Sequence, residues 1–386
     1  MLDSESSWTL RTYESLAKID GEAWDACAGG DNPFVSHAFL LALEDSGSAT
    51  AKTGWLGQHL AIEDGEGGLL GCVPLYLKNH SYGEYVFDWG WADAYERAFG
   101  SYYPKLQASV PFTPVTGPRL LVKPGAGAER VRALLMAGLL QLAELHKVSS
   151  LHLTFPLEAE WQALGKAGYL QRQGLQYHWT NRDYGSFEAF LASLSSRKRK
   201  AIRKERRQAQ ESGLTIRALR GAEITAGHWE AFYRFYLDTI DKKWSQNYLT
   251  EDFFPLLGER LGDRLLLISA EDAGRPVAGA LNLIGGSRLY GRNWGCAREV
   301  PFLHFECCYY QAIDFAIREG LEVVEAGAQG QHKLQRGYLP VPTYSAHWIA
   351  DPGFRAAVAG FLCSEQRAVD REIDAVTEMG PFKREK

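Results

Sequence analysis

Residues 264–296 read RLLLISAEDAGRPVAGALNLIGGSRLYGRNWGC, and residues 302–326 read FLHFECCYYQAIDFAIREGLEVVEA. In the first stretch, the runs Arg264–Ala270, Pro276–Ile284 and Arg288–Cys296 are rich in Leu, Ile, Val and Tyr. The first two are joined through Asp272-Ala273-Gly274, which is the pattern of an antiparallel meander. In the second stretch, apolar residues recur at helical spacing over Phe302–Glu319, Gly320 is a favourable C-cap, and Leu321–Ala326 reads as another strand. The decisive feature is therefore a meander followed by one βαβ crossover.

Working outward, the same order recurs. Before the meander come a strand over 214–219 and helices over 229–239 and 251–261. After the crossover come a short helix near His332–Arg336 and a terminal strand, Tyr344–Ala350. The first half opens with a strand over 8–13, a helix ending near Gly29-Gly30 and a helix over 36–45. Strands over 58–63 and 71–78 follow, turned by Asp64-Gly65-Glu66-Gly67-Gly68, and then an aromatic insertion. A strand over 117–122, a helix over 129–145, a strand over 150–155, a short helix around Trp161 and strands through Tyr177-His178-Trp179 complete it. This is the layout of the GNAT (Gcn5-related N-acetyltransferase) fold. The expected fold class is α+β, a mixed sheet in two tandem GNAT-like domains, 1–184 and 185–357. The second opens with a basic helix, and a C-terminal helix occupies 358–386. The competing arrangement is an unrelated α+β fold with the same elements.

A chain of 386 residues suits two cores rather than one, and 46% hydrophobic residues with 11 Trp, 18 Tyr and 18 Phe exclude disorder. The net charge of −5 gives no whole-molecule field for nucleic acid or an anionic membrane, so any polyanion site must be local. No run approaches the roughly 18 apolar residues of a membrane helix. The polar, acidic start is unlike a signal peptide, so a cytoplasmic protein is expected. Six cysteines without a CxxC pair are expected to be reduced.

Chemistry concentrates in four places. Nine aromatics fall between Tyr82 and Tyr103, interleaved with His80, Glu84, Asp88 and Asp93 and followed by Lys105. Rings mixed with carboxylates suit a pocket that stacks a ligand, making His80, Tyr82, Glu84, Asp88, Trp91, Tyr102, Tyr103 and Lys105 candidate substrate-binding residues. The plainer reading is an insertion covering a sheet edge. The run Glu325–Tyr338 follows the parallel-type strand, where ligands sit in such sheets. Glu325 and His332 are candidate bases, and Gln329, Lys333 and Arg336 candidate holders of an anionic or acyl group, against an ordinary helix start with surface charge. His304 and Glu306, on the helix before it, are placed near that site. His304 and Cys308 share a helix face, but no further ligand spacing supports zinc, so no metal is expected. Eight basic residues lie between Arg197 and Arg207. Of these, Arg197, Lys198, Arg199, Lys200, Arg203 and Lys204 form a candidate polyanion strip, or simply a solvated face.

There is no GxSxG, P-loop or dinucleotide fingerprint. Gly125 and Gly127 fit part of an acetyl-CoA loop, but Val122 stands where Arg or Gln belongs. Ala297-Arg298-Glu299-Val300-Pro301 has no glycine at all.

Asn32-Pro33-Phe34-Val35-Ser36-His37, His80 to Asp88, Tyr102-Tyr103-Pro104-Lys105 and Pro111-Phe112-Thr113-Pro114 resemble the FemAB-like family of bacterial proteins. So do His178-Trp179 with Asn181, Arg197 to Lys200, Leu303-His304-Phe305-Glu306 and Glu325 to Tyr338, over roughly residues 30–350. The resemblance implies tandem GNAT-like domains. It also implies metal-free transfer of an acyl or aminoacyl group to an amine, on a small molecule or a peptidoglycan-precursor peptide. No cofactor is required, and aminoacyl-tRNA or acyl-CoA is the donor. The helical arm that some Fem enzymes carry in their second domain is absent here. The Arg197–Arg207 strip would serve a tRNA, and no DNA partner is implied. Two other functions fit the same residues: an acetyl-CoA-dependent small-molecule N-acetyltransferase, favoured by Gly125-x-Gly127, and a non-catalytic protein binding a ligand in a GNAT-like cleft.

Overall fold

A computed structural model describes residues 8–125, 127–243, 246–327 and 330–383. The chain divides into two compact units, Met1–Gly174 with Thr343–Asp370, and Leu175–Pro342 with Arg371–Lys386.

The first unit begins with β1 (Thr9–Tyr13), α1 (Gly21–Ala28), α2 (His37–Asp45), β2 (Trp55–Gly57), β3 (His59–Glu63), β4 (Leu69–Val73) and β5 (Leu75–Lys78). α1 and α2 each start where theory places them, with Asp20 and Ser36 accepting from the backbone N–H of Ala23 and Phe39. The aromatic insertion holds two further elements, α3 (Trp89–Ala98) and β6 (Lys105–Ala108). They are followed by β7 (Leu121–Val122), α4 (Ala128–Leu145), β8 (Ser150–Thr154) and α5 (Glu158–Lys166). β1, β3, β4 and β7 form one small antiparallel sheet. β5 pairs antiparallel with β2 and β6, and β6 pairs parallel with β8. The strand that enters the crossover is thus β6 and not the expected run over 117–122, of which only Leu121–Val122 is a strand. All four residues of β6 are buried, Lys105 and Gln107 included, so the short polar–apolar alternation of Lys105-Leu106-Gln107-Ala108 does not mark a solvent face there. The core packs α4 through Val131, Leu135, Leu139 and Leu142 against Leu60, Leu106, Leu151 and Leu153.

β9 (Leu170–Thr180) carries the chain into the second unit. That unit contains α6 (Phe187–Ser193), α7 (Ser196–Gln210), β10 (Thr215–Arg220), α8 (Ala226–Lys243), α9 (Phe253–Leu261), β11 (Leu265–Asp272), β12 (Arg275–Gly285) and β13 (Arg288–Cys296). The expected crossover helix is α10 (Leu303–Phe305), a π turn over Glu306–Tyr310 and α11 (Gln311–Arg318). It returns as β14 (Val323–Glu325), after which Gln331–Arg336 forms a 3₁₀ turn. β10 to β13 are an antiparallel meander, β14 is parallel to β13, and β9 borders β14 antiparallel. Leu303, Cys307, Tyr310, Ile313 and Ile317 are the buried stripe of the crossover helix.

β15 (Leu339–Ile349) and α12 (Pro352–Glu378) follow. Ser345–Ile349 of β15 pairs with Ser150–Thr154 of β8, so residues 343–357, assigned above to the second domain, group with the first unit. Strand pairing over a long sequence separation decides this, and no local pattern encodes it. Both units are mixed α+β with a meander and one parallel crossover, which is the tandem GNAT-like fold. Among the described residues no disulfide joins the cysteines, and no described helix is long and apolar enough to cross a membrane.

Candidate functional sites

In the first unit, residues 79–88 are held from beneath by two fully buried lysines. Lys105 Nζ donates to Ser81 Oγ at 2.7 Å, Glu84 Oε2 at 2.7 Å and Asp88 Oδ2 at 2.5 Å. Lys78 Nζ lies 3.9 Å from Glu84 Oε1, donates to the Tyr82 carbonyl at 3.2 Å and sits 3.5 Å above the Trp55 ring. Tyr102 donates to Asp88 Oδ2 at 2.8 Å and faces His152 Nε2 at 3.1 Å. His152 and His347 meet through their Nδ1 atoms at 2.7 Å, and His347 Nε2 reaches Ser345 Oγ at 2.9 Å. One imidazole must donate and the other accept across that contact, so the acceptor ring is neutral.

The electrostatics follow from burial set against ion pairing. Burial pushes the Glu84 carboxyl up to about 7 against the pull of Lys105, and pushes the Lys78 ammonium down to about 7 against the pull of Glu84. Burial would also raise Asp88, but Lys105 and His152 overcome it and hold that carboxyl well below its ordinary value. His152 is driven down to about 3 by burial and then by Lys105, and His347 falls well below its usual range for the same first reason.

Glu84, Asp88, Tyr102 and Lys105 are therefore turned inward and bonded to one another rather than lining an open pocket. Trp91 is buried too, its ring 4.9 Å from that of His347. Of the expected ligand-binding residues in this unit, Tyr82 is exposed, Tyr103 is half-buried against Ser81 at 2.8 Å, and His80 donates to the Thr53 carbonyl at 3.0 Å.

A pH prediction arises here. Because the folded pKa of His152 is depressed, its contribution is fully present above about 6.5 and is lost as pH falls toward about 3. Over that window the unfolded chain takes up a proton that the folded imidazole refuses. Urea midpoints measured at pH 7 and pH 5 are expected to separate less in His152→Gln than in the parent. The raised Glu84 carboxyl acts in the opposite sense in both proteins, so it does not affect the comparison. Equal separations would contradict the assignment.

In the second unit, Glu325 ends β14, directly opposite His178 on β9 and Tyr290 on β13. Its buried carboxylate accepts from Arg288 Nη1 at 3.1 Å, with Arg292 Nη2 at 3.6 Å and His178 Nε2 at 4.0 Å from Oε2. The β12–β13 register shifts so that Gly291 faces Asn282 and Asn293 faces Leu281, leaving Arg292 as the extra residue of a bulge. Bulges beside sites re-aim a side chain in this way. His178 is depressed first by burial, then by Arg288, Arg292 and Lys333 working against Glu325, so its imidazole is neutral at pH 7.

In the turn that follows β14, Tyr309 OH bonds His332 Nε2 at 2.8 Å, and the His304 ring lies 6.0 Å from that of His332. Lys333 is buried and donates to the Gly327 carbonyl at 2.8 Å. Arg336 is buried over Phe305, 3.4 Å from its centroid, and donates to Glu205 at 2.8 Å and to the His332 carbonyl at 2.8 Å. Neither cation faces solvent as an anion holder would. Glu306 is likewise committed to structure, fully buried and held by Arg206 at 3.1 Å and Gln311 at 2.8 Å. Gln329 lies outside the described residues.

Sequence reasoning placed Glu325 but passed over His178, Arg288 and Arg292 as site residues. The available signal was the pair of arginines four apart on one strand, which share a face unless a bulge intervenes. Among the described residues, no three His, Cys, Asp or Glu side chains converge as a metal-ligand set.

On α7, the helix phase sorts the charges. Arg197, Lys200, Arg203, Lys204 and Arg207 are exposed within an arc of roughly 120°. Lys198 and Arg199 are half-buried. Glu205 and Arg206 turn inward to Arg336 and Glu306. Arg203 also pairs with Glu188 at 2.5 Å.

These features can be set beside known proteins. The domain fold is shared with FemX (TM-score 0.53, 11% identity, 88% of this chain and 98% of that chain). It is equally similar to the C-terminal DUF2156 domain of a putative lysylphosphatidylglycerol synthetase from Agrobacterium fabrum (TM-score 0.54, 10% identity, 91% and 97%). A third match is a conserved protein of unknown function from Bacteroides thetaiotaomicron (TM-score 0.53, 11% identity, 89% and 100%). No curated protein matches the sequence. The FemAB-like family, described by its role in peptidoglycan biosynthesis and recognition, matches residues 15–384. With nearly the whole chain accounted for, this protein belongs to the FemAB-like family.

Proposed function

We propose that this chain is an N-acyltransferase that moves an acyl or aminoacyl group onto the amine of a peptidoglycan-precursor peptide, with the chemistry in the second unit. The observation that carries the reading is the buried Glu325–His178–Arg292 group where β14 ends alongside the parallel strand β13. An amine attacks only when deprotonated, and His178, neutral at pH 7, is the group able to take that proton, its Nε2 oriented by Gln176 Oε1 at 3.3 Å with the Glu325 carboxylate 4.0 Å away. The N–C bond forms as the donor's C–O or C–S bond breaks, and the proton passes from the imidazole to the leaving oxygen or sulfur. The backbone released from the ladder at Arg292 is the donor to the developing oxyanion.

The donor in this reading is aminoacyl-tRNA, held by the outer face of α7. Neutralising Lys200, Arg203, Lys204 and Arg207 together to Gln is expected to weaken tRNA binding. It should also flatten the slope of log K against log salt by roughly 3 to 4. An unchanged slope would remove α7 from the donor site. Acetyl-CoA is the second candidate donor, favoured by the glycine-built start of α4, where Gly125 and Gly127 have φ of 146° and 103°. The discriminating experiment offers the protein a UDP-muramyl pentapeptide acceptor with radiolabelled acetyl-CoA or a charged tRNA pool. Label entering the peptide from tRNA supports the main reading and label from acetyl-CoA the second. Transfer from neither overturns both and leaves a binding protein.

A further inference from the structure

A cleft of about 900 Å³ opens in the second unit, lined by Gly221 and Ala222, the start of α8, one side of α9 and the turn after it. Neither Glu325 nor His178 borders it, so acyl transfer does not account for it. Five carboxylates line the cleft: Glu230 on α8, Glu251 and Asp252 at the head of α9, Glu259 near its end and Asp263 just beyond. Arg260 and Arg264 also line it, so acid outnumbers base five to two. From Asp252 to Glu259 the helix rises roughly 10 Å, which spreads the charge along the wall. Among the described residues no three such groups converge as a metal set.

A second feature faces the same space. Trp229 is only 6% exposed, with one face of its ring stacked on Phe254 at 6.3 Å and 24°. Its indole Nε1 has no hydrogen-bond partner among the described residues, although a buried indole N–H ordinarily finds one. The residue over that nitrogen is Gly258, where a Cβ would stand 2.8 Å from Nε1. With no side chain there, the N–H stays open to the cleft that both residues line.

We infer that this cleft binds a basic peptide segment of a partner protein. A backbone carbonyl of the segment accepts from Trp229 Nε1, and its Arg or Lys side chains reach the carboxylates along α9. An extended chain advances about 3.3 Å per residue, so three or four residues cover the charged wall. A linear polyamine matches the carboxylates but brings only donors and leaves the indole without an acceptor. Nucleic acid and anionic bilayers are repelled by the excess of acid. This binding rests on no part of the acyl-transfer reading.

The test uses the full chain with ¹⁵N-labelled tryptophan. It is titrated at low salt with acetylated tetra-arginine amide and, separately, with spermine, which carries the same number of cationic groups and no carbonyl. The expected result is saturable peptide binding with a shift of the Trp229 indole resonance, assigned through its loss in Trp229→Phe. Affinity for the peptide should fall at least tenfold in the double variant Asp252→Asn with Glu259→Gln. Both residues are exposed, so that variant should melt with the parent. Trp229→Phe should lose about fivefold, the worth of one neutral hydrogen bond. Silence toward the peptide would overturn the inference, as would binding indifferent to Asp252 and Glu259. Spermine bound as tightly as the peptide, with the Trp229 resonance unmoved by either, would assign the cleft to polyamines and overturn it too.

Discussion

Replacing Lys105 by Met is expected to destabilise the first unit by about 3–5 kcal/mol, the range for removing one partner of a buried ion pair. Its ammonium is fully buried and bonded to Ser81, Glu84 and Asp88, so the substitution strands two carboxylates that water cannot reach. Glu84, already raised to about 7, can escape by taking a proton, but Asp88 is held ionised mainly by Lys105 and has no such cheap exit. For a unit of this size the loss corresponds to a fall in Tm of roughly 10 °C, read by differential scanning calorimetry. Adding Glu84→Gln and Asp88→Asn should recover much of it, because the stranded charges go with the lysine. A single variant that melts with the parent would show that Lys105 is not their counter-ion.

The second large effect is on turnover. Glu325→Gln keeps the side chain's shape and one acceptor oxygen for Arg288, so the fold should survive with a loss of about 1–3 kcal/mol. The charge that faces His178 at 4.0 Å and balances Arg292 is gone, and kcat for acyl transfer is expected to drop at least ~10²-fold with KM little changed. His178→Gln should lose a similar factor. It should also remove the acid limb of the pH–rate profile, which in the parent lies below the ordinary histidine value because burial depresses that imidazole. Full activity in Glu325→Gln would overturn the role given to the carboxylate. An unaltered acid limb in His178→Gln would move the base elsewhere, with His332 the next group to test.

Several features were legible in the residues alone. Each depends on periods of two or of about 3.6 residues, which are properties of neighbouring positions. The meander over β11–β13, the crossover helix and the basic α7 all stand close to where the patterns put them. The place of Glu325 at the end of the parallel strand was legible as well, from the apolar run that precedes it. α3 was hidden by Gly90 and by rings that resemble loop composition, and β6 by burial on both faces.

What the tertiary structure alone decided is which charges face inward. His152 meets His347 across 195 residues, Arg336 meets Glu205 across 131, and Arg206 meets Glu306 across 100. Lys105, read from sequence as a ligand holder, is instead a buried counter-ion, and so is Arg206 within an otherwise solvent-facing basic run. A lone Lys or Arg in a sequence reads as exposed, because burying a charge is unfavourable by several kcal/mol unless a partner is supplied. The partner comes from a distant segment, so the sequence by itself determined most of the elements and the resemblance to the family, but not these pairings. The folded chain determined which ionisable groups turn inward and which are left facing solvent.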